Sequence, residues 1–294
     1  LSCYMIPEVL ARHDPPPECP AAPVVFDSPH SGTVYPADFA FAAPFDILRR
    51  AEDAFVDELF ADAPRRGASL LTALFPRSYI DPNRHEAEID LNLFDEPWPY
   101  PVLPSERCER GLGLVRRLIR ARTPVYDRRL TVAEVEARIA RFHRPYHAEL
   151  QAMLDRAHES FGAVWHVNCH SMRALGKRTG RGKAALKGKA RDDFVLGDRD
   201  GTTCSARFTE MVRETLMELG YSVAVNHPFK GAELVTRHGD PAASRHSLQI
   251  EVNRRLYMDE ARVEKTAGFD ALKADIDRLV AAIVDYARDE TGCR

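Results

Sequence analysis

Short apolar runs alternate with helically spaced apolar residues along most of this chain, and that alternation most restricts how it can fold. Val24-Val25-Phe26, bounded by Pro23 and by turn residues, reads as a buried strand. Leu48, Phe55, Val56, Leu59 and Phe60 then recur at helical spacing between Asp46 and Ala61, a pattern stopped by Pro64. Ser69 to Phe75 and Ala163 to Asn168 read as further strands, and Thr203 to Leu219 as a helix. In Leu248-Gln249-Ile250-Glu251-Val252 the apolar residues alternate, so Leu248, Ile250 and Val252 share one face and Gln249, Glu251 and Asn253 the other. Thr131 and Glu134 form a capping box that starts a helix, with a kink expected at Pro145. A last amphipathic helix is expected from about Asp259 to Asp289. This order predicts an α/β fold with a largely parallel or mixed sheet. Residues 23–294 hold no linker and are expected to form one domain, with residues 1–22 as an extended N-terminal arm around Pro15-Pro16-Pro17.

The charge balance narrows the partners. A formal net charge of -3 gives no global attraction to nucleic acid or to an anionic membrane. No apolar run approaches the roughly 20 residues of a membrane helix, and residues 1–23 lack the basic and apolar regions of a signal peptide. The six cysteines are scattered, which suits reduced thiols in the cytoplasm. Only Arg173 to Arg191 is strongly basic. It is not a phosphate-binding loop, because no glycine stands five positions before Gly182 and alanine follows Lys183. It reads either as a solvated loop or as a funnel for an anionic substrate.

The chemistry centres on histidines. His30 lies just past the Val24-Val25-Phe26 strand, where open α/β sheets build their sites. His166 and His170 are four apart, and on a strand that separates them by about 13 Å, so they cannot share an ion. His170, at the strand's end, is the candidate ligand, and His166 becomes a packed sheet histidine. His143 and His147 form a rival pair, but Arg144-Pro145-Tyr146 between them lacks the glutamate of the H-E-x-x-H motif. Two histidines and a carboxylate from Glu52-Asp53 suit a catalytic zinc, which keeps one position open. Helical phase does not choose between Glu52 and Asp53. Glu251 is either a general base beside that metal or the partner of a salt bridge with Arg254 or Arg255.

Eight blocks of the sequence resemble those of N-formylglutamate amidohydrolases, in the family's order. They are Ser28 to Gly32, Glu52 to Leu59, Arg77 to Arg84, Pro145 to His147, Asn168 to Met172, Leu196 to Thr202, Asn226 to Gly231, and Leu248 to Arg254. The resemblance implies a phosphorylase/hydrolase-like three-layer fold with a central mixed sheet, akin to zinc carboxypeptidases. It implies hydrolysis of N-formyl-L-glutamate to formate and L-glutamate, the last step of one bacterial route of histidine degradation. It favours Asp53 over Glu52, matches His30 and His170 to the histidine ligands of Zn2+, and matches Glu251 to the base. Such a substrate carries two carboxylates, which arginine forks bind bidentately. Arg84, Arg173 and Arg254, each just downstream of a site segment, are the candidates, with Asn83 as a hydrogen-bonding neighbour and Arg237 and Lys230 next. The expected partner is thus a small acidic N-acyl amino acid, with no nucleic acid or membrane, on a cytoplasmic monomer or small homo-oligomer. The other readings are a related zinc deacylase or carboxypeptidase with another N-acyl or peptide substrate, and a non-catalytic binding protein on the same fold.

Overall fold

The alternation of apolar patterns becomes one mixed eight-stranded sheet in the computed structural model, which describes residues 2–119, 122–176, 188 and 190–293. In chain order, β1 (Ser2–Ile6), β2 (Leu10–Asp14) and β3 (Val24–Ser28) are followed by the short helices α1 (Phe45–Arg49) and α2 (Val56–Leu59) and by β4 (Ser69–Ala73). A long loop region carries α3 (Glu106–Glu109) and a small ribbon of β5 (Leu118–Ile119) and β6 (Thr123–Pro124). Then come α4 (Val132–Arg138), α5 (Arg144–Phe161), β7 (Val164–Met172), β8 (Phe194–Gly197), α6 (Ala206–Glu218), β9 (Val223–Val225), α7 (Glu233–His238), β10 (Arg245–Asn253) and α8 (Phe269–Thr291).

The strand order is β1-β2-β4-β3-β7-β10-β8-β9. At its centre β4, β3, β7 and β10 run parallel, while β2 against β4 and β8 against β10 are antiparallel. Side-chain alternation sorts the two faces. Phe26, Trp165, Val167, Leu248 and Ile250 face one apolar layer with α6 and α8, whereas Val25 and Leu71 face the other with α5. The result is three layers with a central mixed sheet. The central parallel strands end together, so His30, His170 and Glu251 come to one edge of the sheet; β10 and β7 set Glu251 directly beside His170.

Several local expectations are corrected. Residues 2–14 are not an arm: β1 and β2 form a hairpin that pairs through Leu10 and Ala73 with β4, burying Val9, Leu10 and Ala11. The helix expected from Asp46 to Ala61 is split into α1 and α2, with Phe55 in a left-handed conformation (φ 67°) at the start of α2. Two short helices fit because Leu48 packs into one apolar layer and Val56 and Leu59 into the other. The bend expected at Pro145 is a π-turn over Ile139–His143, after which Pro145 sits in the first turn of α5, where its missing N–H is harmless. The last helix begins at Phe269 rather than near Asp259, because residues 258–265 form a small two-stranded ribbon. Most of the basic segment 173–191, namely 177–187 and 189, lies outside the described residues.

Candidate active site

The loop after β3 is shaped by close packing. Gly32 lies against the carbonyls of Leu74 and Phe75, where a Cβ would stand 2.3 Å from Phe75 O, so only glycine lets the chain pass. Ser28 and Ser31 share a hydrogen bond of 2.6 Å, and Ser31 Oγ also donates to Asp53 O at 3.0 Å. Asp53 N donates in return to His30 O at 2.9 Å. These bonds pull Asp53 out of the helical path, and the break between α1 and α2 lets it face the cleft.

His30, Asp53 and His170 meet there, their ligand atoms all within 4.8 Å of one another and all buried. His30 Nδ1 is 3.2 Å and His170 Nδ1 3.0 Å from the same Asp53 Oδ2. The far nitrogen of each ring is already committed. His30 Nε2 donates to Asp81 Oδ1 at 2.6 Å, and His170 Nε2 donates to Asn168 Oδ1 at 2.7 Å, an amide whose Nδ2 is fixed by Asp27 at 2.7 Å. With each Nε2 held by an outer acceptor, both Nδ1 atoms turn toward the same carboxylate oxygen. Two imidazole nitrogens and one carboxylate oxygen converging on one point fit a divalent transition metal such as zinc, with outer carboxylate and amide partners holding each ring.

Glu52 is excluded from this group. Its carboxylate accepts from Tyr35 OH at 2.6 Å and faces Arg49. His166 is the buried sheet histidine the strand geometry implies, donating to Asp27 Oδ1 at 2.9 Å. His143 and His147 instead grip the loop that carries Asn83: their Nε2 atoms lie 3.0 Å from Arg84 O and 2.8 Å from Pro82 O.

Burial works against the Asp53 carboxylate, but the bonds to His170 and His30 and the charge of Arg77 outweigh it and hold its carboxyl well below the usual range. Asp81 is likewise low: Arg77, His30 and Arg84 overcome its desolvation. Glu251 is the opposite case. Burial raises its carboxyl to about 7, with Asp53 adding to the rise and His170, Arg77 and Arg254 opposing it. Among the described residues it accepts one hydrogen bond, from Gln249 Nε2 at 3.0 Å.

The arginines divide by what they touch. Arg254 donates to Ser171 Oγ, Arg50 O, Glu52 O and Asp53 Oδ1, so most of its fork braces the site. Arg84 donates to Asn83 O and Leu112 O. Asn83 is also engaged, accepting from Leu234 N and lying 3.1 Å from His170 Nε2. Arg173 is at the rim, its side chain 56% exposed and near Glu260. Arg237 turns away to His147 Nδ1, and Lys230 pairs with Asp200. Three side chains enter the site without having been singled out from the sequence: Asp81, Arg77 and Arg116. Arg77 bonds Asp81 through Nε and Nη2 and lies 3.5 Å from Asp53 Oδ1. The spacing of Arg77 and Asp81, four apart within the block Arg77 to Arg84, was the available signal. His30, Asp53, His170 and Glu251, with Arg77, Arg84, Arg116 and Arg254, line a cleft of about 810 Å³ that opens over the sheet edge.

The family model described as N-formylglutamate amidohydrolase matches residues 22–258. An N-formylglutamate deformylase of Pseudomonas putida is 28% identical over 211 residues, covering 71% of each chain. One from Pseudomonas aeruginosa is 26% identical over 271 residues, 91% of this chain and 94% of its own. A crystal structure of N-formylglutamate amidohydrolase from Ralstonia eutropha superposes with a TM-score of 0.89 at 45% identity, covering 96% of this chain and 99% of that one.

Proposed function

Since the chain belongs to the N-formylglutamate amidohydrolase family and is a hydrolase acting on an amide, we propose that it cleaves the formamide bond of N-formyl-L-glutamate. The observation that carries the site assignment is the convergence of His30 Nδ1, His170 Nδ1 and Asp53 Oδ2, each with its outer partner in place. These three residues would hold zinc. When bound, zinc supplies Lewis acidity at the formyl oxygen and acidifies water.

The remaining work falls to the protein's own groups. Glu251, beside His170 on the neighbouring strand, takes the proton of the attacking water and delivers it to the amide nitrogen as the C–N bond breaks. Formate and the free amine of glutamate result. A carboxyl held near neutrality is suited to both halves of that transfer. Arg84 and Arg173, with Asn83 alongside, attract and seat the dicarboxylate, and Arg254 keeps Asp53 aimed with its second oxygen free for the histidines. The product would serve the breakdown of histidine in the cytoplasm, a compartment that suits six unpaired cysteines. Among the described residues no helix is long and apolar enough to cross a membrane.

The cleft volume also admits a larger acyl group, which favours a screen of other N-acyl amino acids as a second reading. The test is formate release from N-formyl-L-glutamate by zinc-loaded protein beside a His30→Ala control. Release by the wild type alone supports both the reaction and the metal centre. No release with one equivalent of zinc bound refutes the substrate.

A further inference from the structure

Three arginines that line the cleft, Arg50, Arg116 and Arg191, carry a buried Nε with no hydrogen-bond partner among the described residues, and Arg116 is the most buried of them. It is nine-tenths buried, yet Nε has no hydrogen-bond partner among the described residues. Among the described residues its one polar contact is Nη2 to Asp81 Oδ2 at 3.4 Å, an oxygen that Arg77 already holds at 2.9 Å. The neighbouring Arg77 is held by Asp81, and Arg84 gives Nε and Nη1 to protein carbonyls and keeps Nη2 for substrate, so Arg116 is the least engaged of the three. Burial and those two like charges draw its guanidinium down to about 9. Such a group is costly unless an anion completes it.

Its position is built. Leu114 O accepts from Asp81 N at 2.8 Å and Leu114 N donates to Glu88 O at 2.7 Å, which fastens this segment beside the site. Leu114 and Val115 are fully buried, while the next residue, Arg117, turns the other way to pair with Asp90 at 2.7 Å. The fold therefore spends two packed residues and an ion pair on aiming one arginine into the cleft.

We propose that Arg116 receives the side-chain carboxylate of the substrate and sets the preference for an acidic N-acyl amino acid. This rests on the N-formylglutamate reading above. The distal carboxylate is the one assigned because Arg116 meets the centre only through Asp81, whereas Arg77 reaches Asp53 as well. Arg116 thus stands one side chain further from the reacting amide than the groups that border it.

The experiment compares N-formyl-L-glutamate with N-formyl-L-glutamine, which has the same shape without the side-chain charge, on wild type, Arg116→Gln and Arg116→Lys. In Arg116→Gln the ratio of kcat/KM values for the two substrates should fall roughly 10- to 100-fold, the range of a charged hydrogen bond. The change should lie in KM for N-formyl-L-glutamate, with kcat nearly kept and partial recovery in Arg116→Lys. An unchanged ratio, whether or not both activities drop, overturns the proposal. Glutarate, a dicarboxylate without an amide, separates binding from reaction by calorimetry. If wild type hydrolyses neither substrate but binds glutarate and Arg116→Gln loses it, the reaction is wrong and the assignment of Arg116 stands. Equal glutarate affinity in the two proteins overturns the assignment. Melting temperature guards against misfolding: removing a buried cation whose ion pair with Asp81 is long, at 3.4 Å, should lower it little, and a clearly lowered value with an unchanged ratio marks a structural role.

Discussion

Two polar layers lie at different depths below the same cleft, and they are built on opposite plans. In the deeper one, Asp27 uses both oxygens, accepting from His166 and Asn168 on one and from Tyr146 OH on the other, while Ser247 Oγ completes His166. Every one of these side chains is essentially solvent-free, and each polar contact is 2.7 to 2.9 Å. In the upper layer Glu251 is buried with one protein hydrogen bond, Gln249 Oε1 has no partner among the described residues, and neither does Arg116 Nε. A satisfied network rigidifies and positions. Groups left incomplete hold free energy that a substrate and a metal can release on binding, and they lower stability until then. His170 joins the two, with its Nε2 bonded to the lower layer and its Nδ1 facing the upper.

Emptying the metal site that His170 Nδ1 faces should have the largest effect. His30→Ala, or removal of the metal by a chelator, should take formate release to background, and the variant should no longer retain an equivalent of zinc by metal analysis. A variant that stays active without bound metal would dissolve the distinction between the layers. Next in size is Glu251→Gln, expected to lower kcat by about 10²- to 10⁴-fold with little change in KM. The same substitution should stabilise the metal-free protein, and the sign follows from the carboxyl's position. Its folded value of about 7 lies above the ordinary 4.5, so the cost of burying the charge is absent below 4.5, grows as the pH rises from there and is fully present above 7. Chelator-treated Glu251→Gln should therefore gain on the order of 3 kcal/mol in urea unfolding at pH 8 and nothing at pH 4. A loss of stability at pH 8 would put Glu251 among the satisfied groups.

The lower layer should respond the other way. Asn168→Ala leaves His170 Nε2 and one bond of Asp27 unmatched. Zinc affinity should drop about 10- to 100-fold, with a stability loss of about 1–3 kcal/mol, while KM changes little. Activity lost without loss of metal affinity would show that the deep network does not tune the histidine.

What could be read from the sequence follows the same division. Strict alternation told which side of β10 is polar, because a strand has only two faces, and Glu251 indeed lies opposite Leu248, Ile250 and Val252. His30 and His170 sit at ends of parallel strands, which hydrophobic runs locate well. The choice between Glu52 and Asp53 was illegible from periodicity because it depends on a helix break fixed by the bond from Asp53 N to His30 O, a contact 23 residues away in sequence. Leu48 and Val56 fit one helical stripe on paper but bury in different layers. The β1–β2 hairpin was hidden for a related reason. Among the described residues its buried ones are Val9, Leu10 and Ala11, too short a pattern to stand out beside the prolines that follow. Asp81, Arg77 and Arg116 are placed by loop packing, which no local period encodes.

The smallest effect should come from the rim. Arg173 lies with its side chain 56% exposed and its guanidinium 3.5 Å from Glu260, so any contact with substrate is made in a wet, high-dielectric setting. Its contribution is then chiefly long-range attraction of a dianion toward the cleft, an effect carried in the approach rate and screened beyond about 8 Å at physiological salt. Arg173→Ala should raise KM for N-formyl-L-glutamate by only a few-fold at low ionic strength. The difference from wild type should vanish as salt is raised, and kcat should be unchanged throughout. Arg116, being buried, should keep its effect at every salt concentration, so the two arginines titrated side by side measure where the wall of the cleft ends and solvent begins. A salt-independent loss in Arg173→Ala would move that boundary outward and make the rim part of the binding surface.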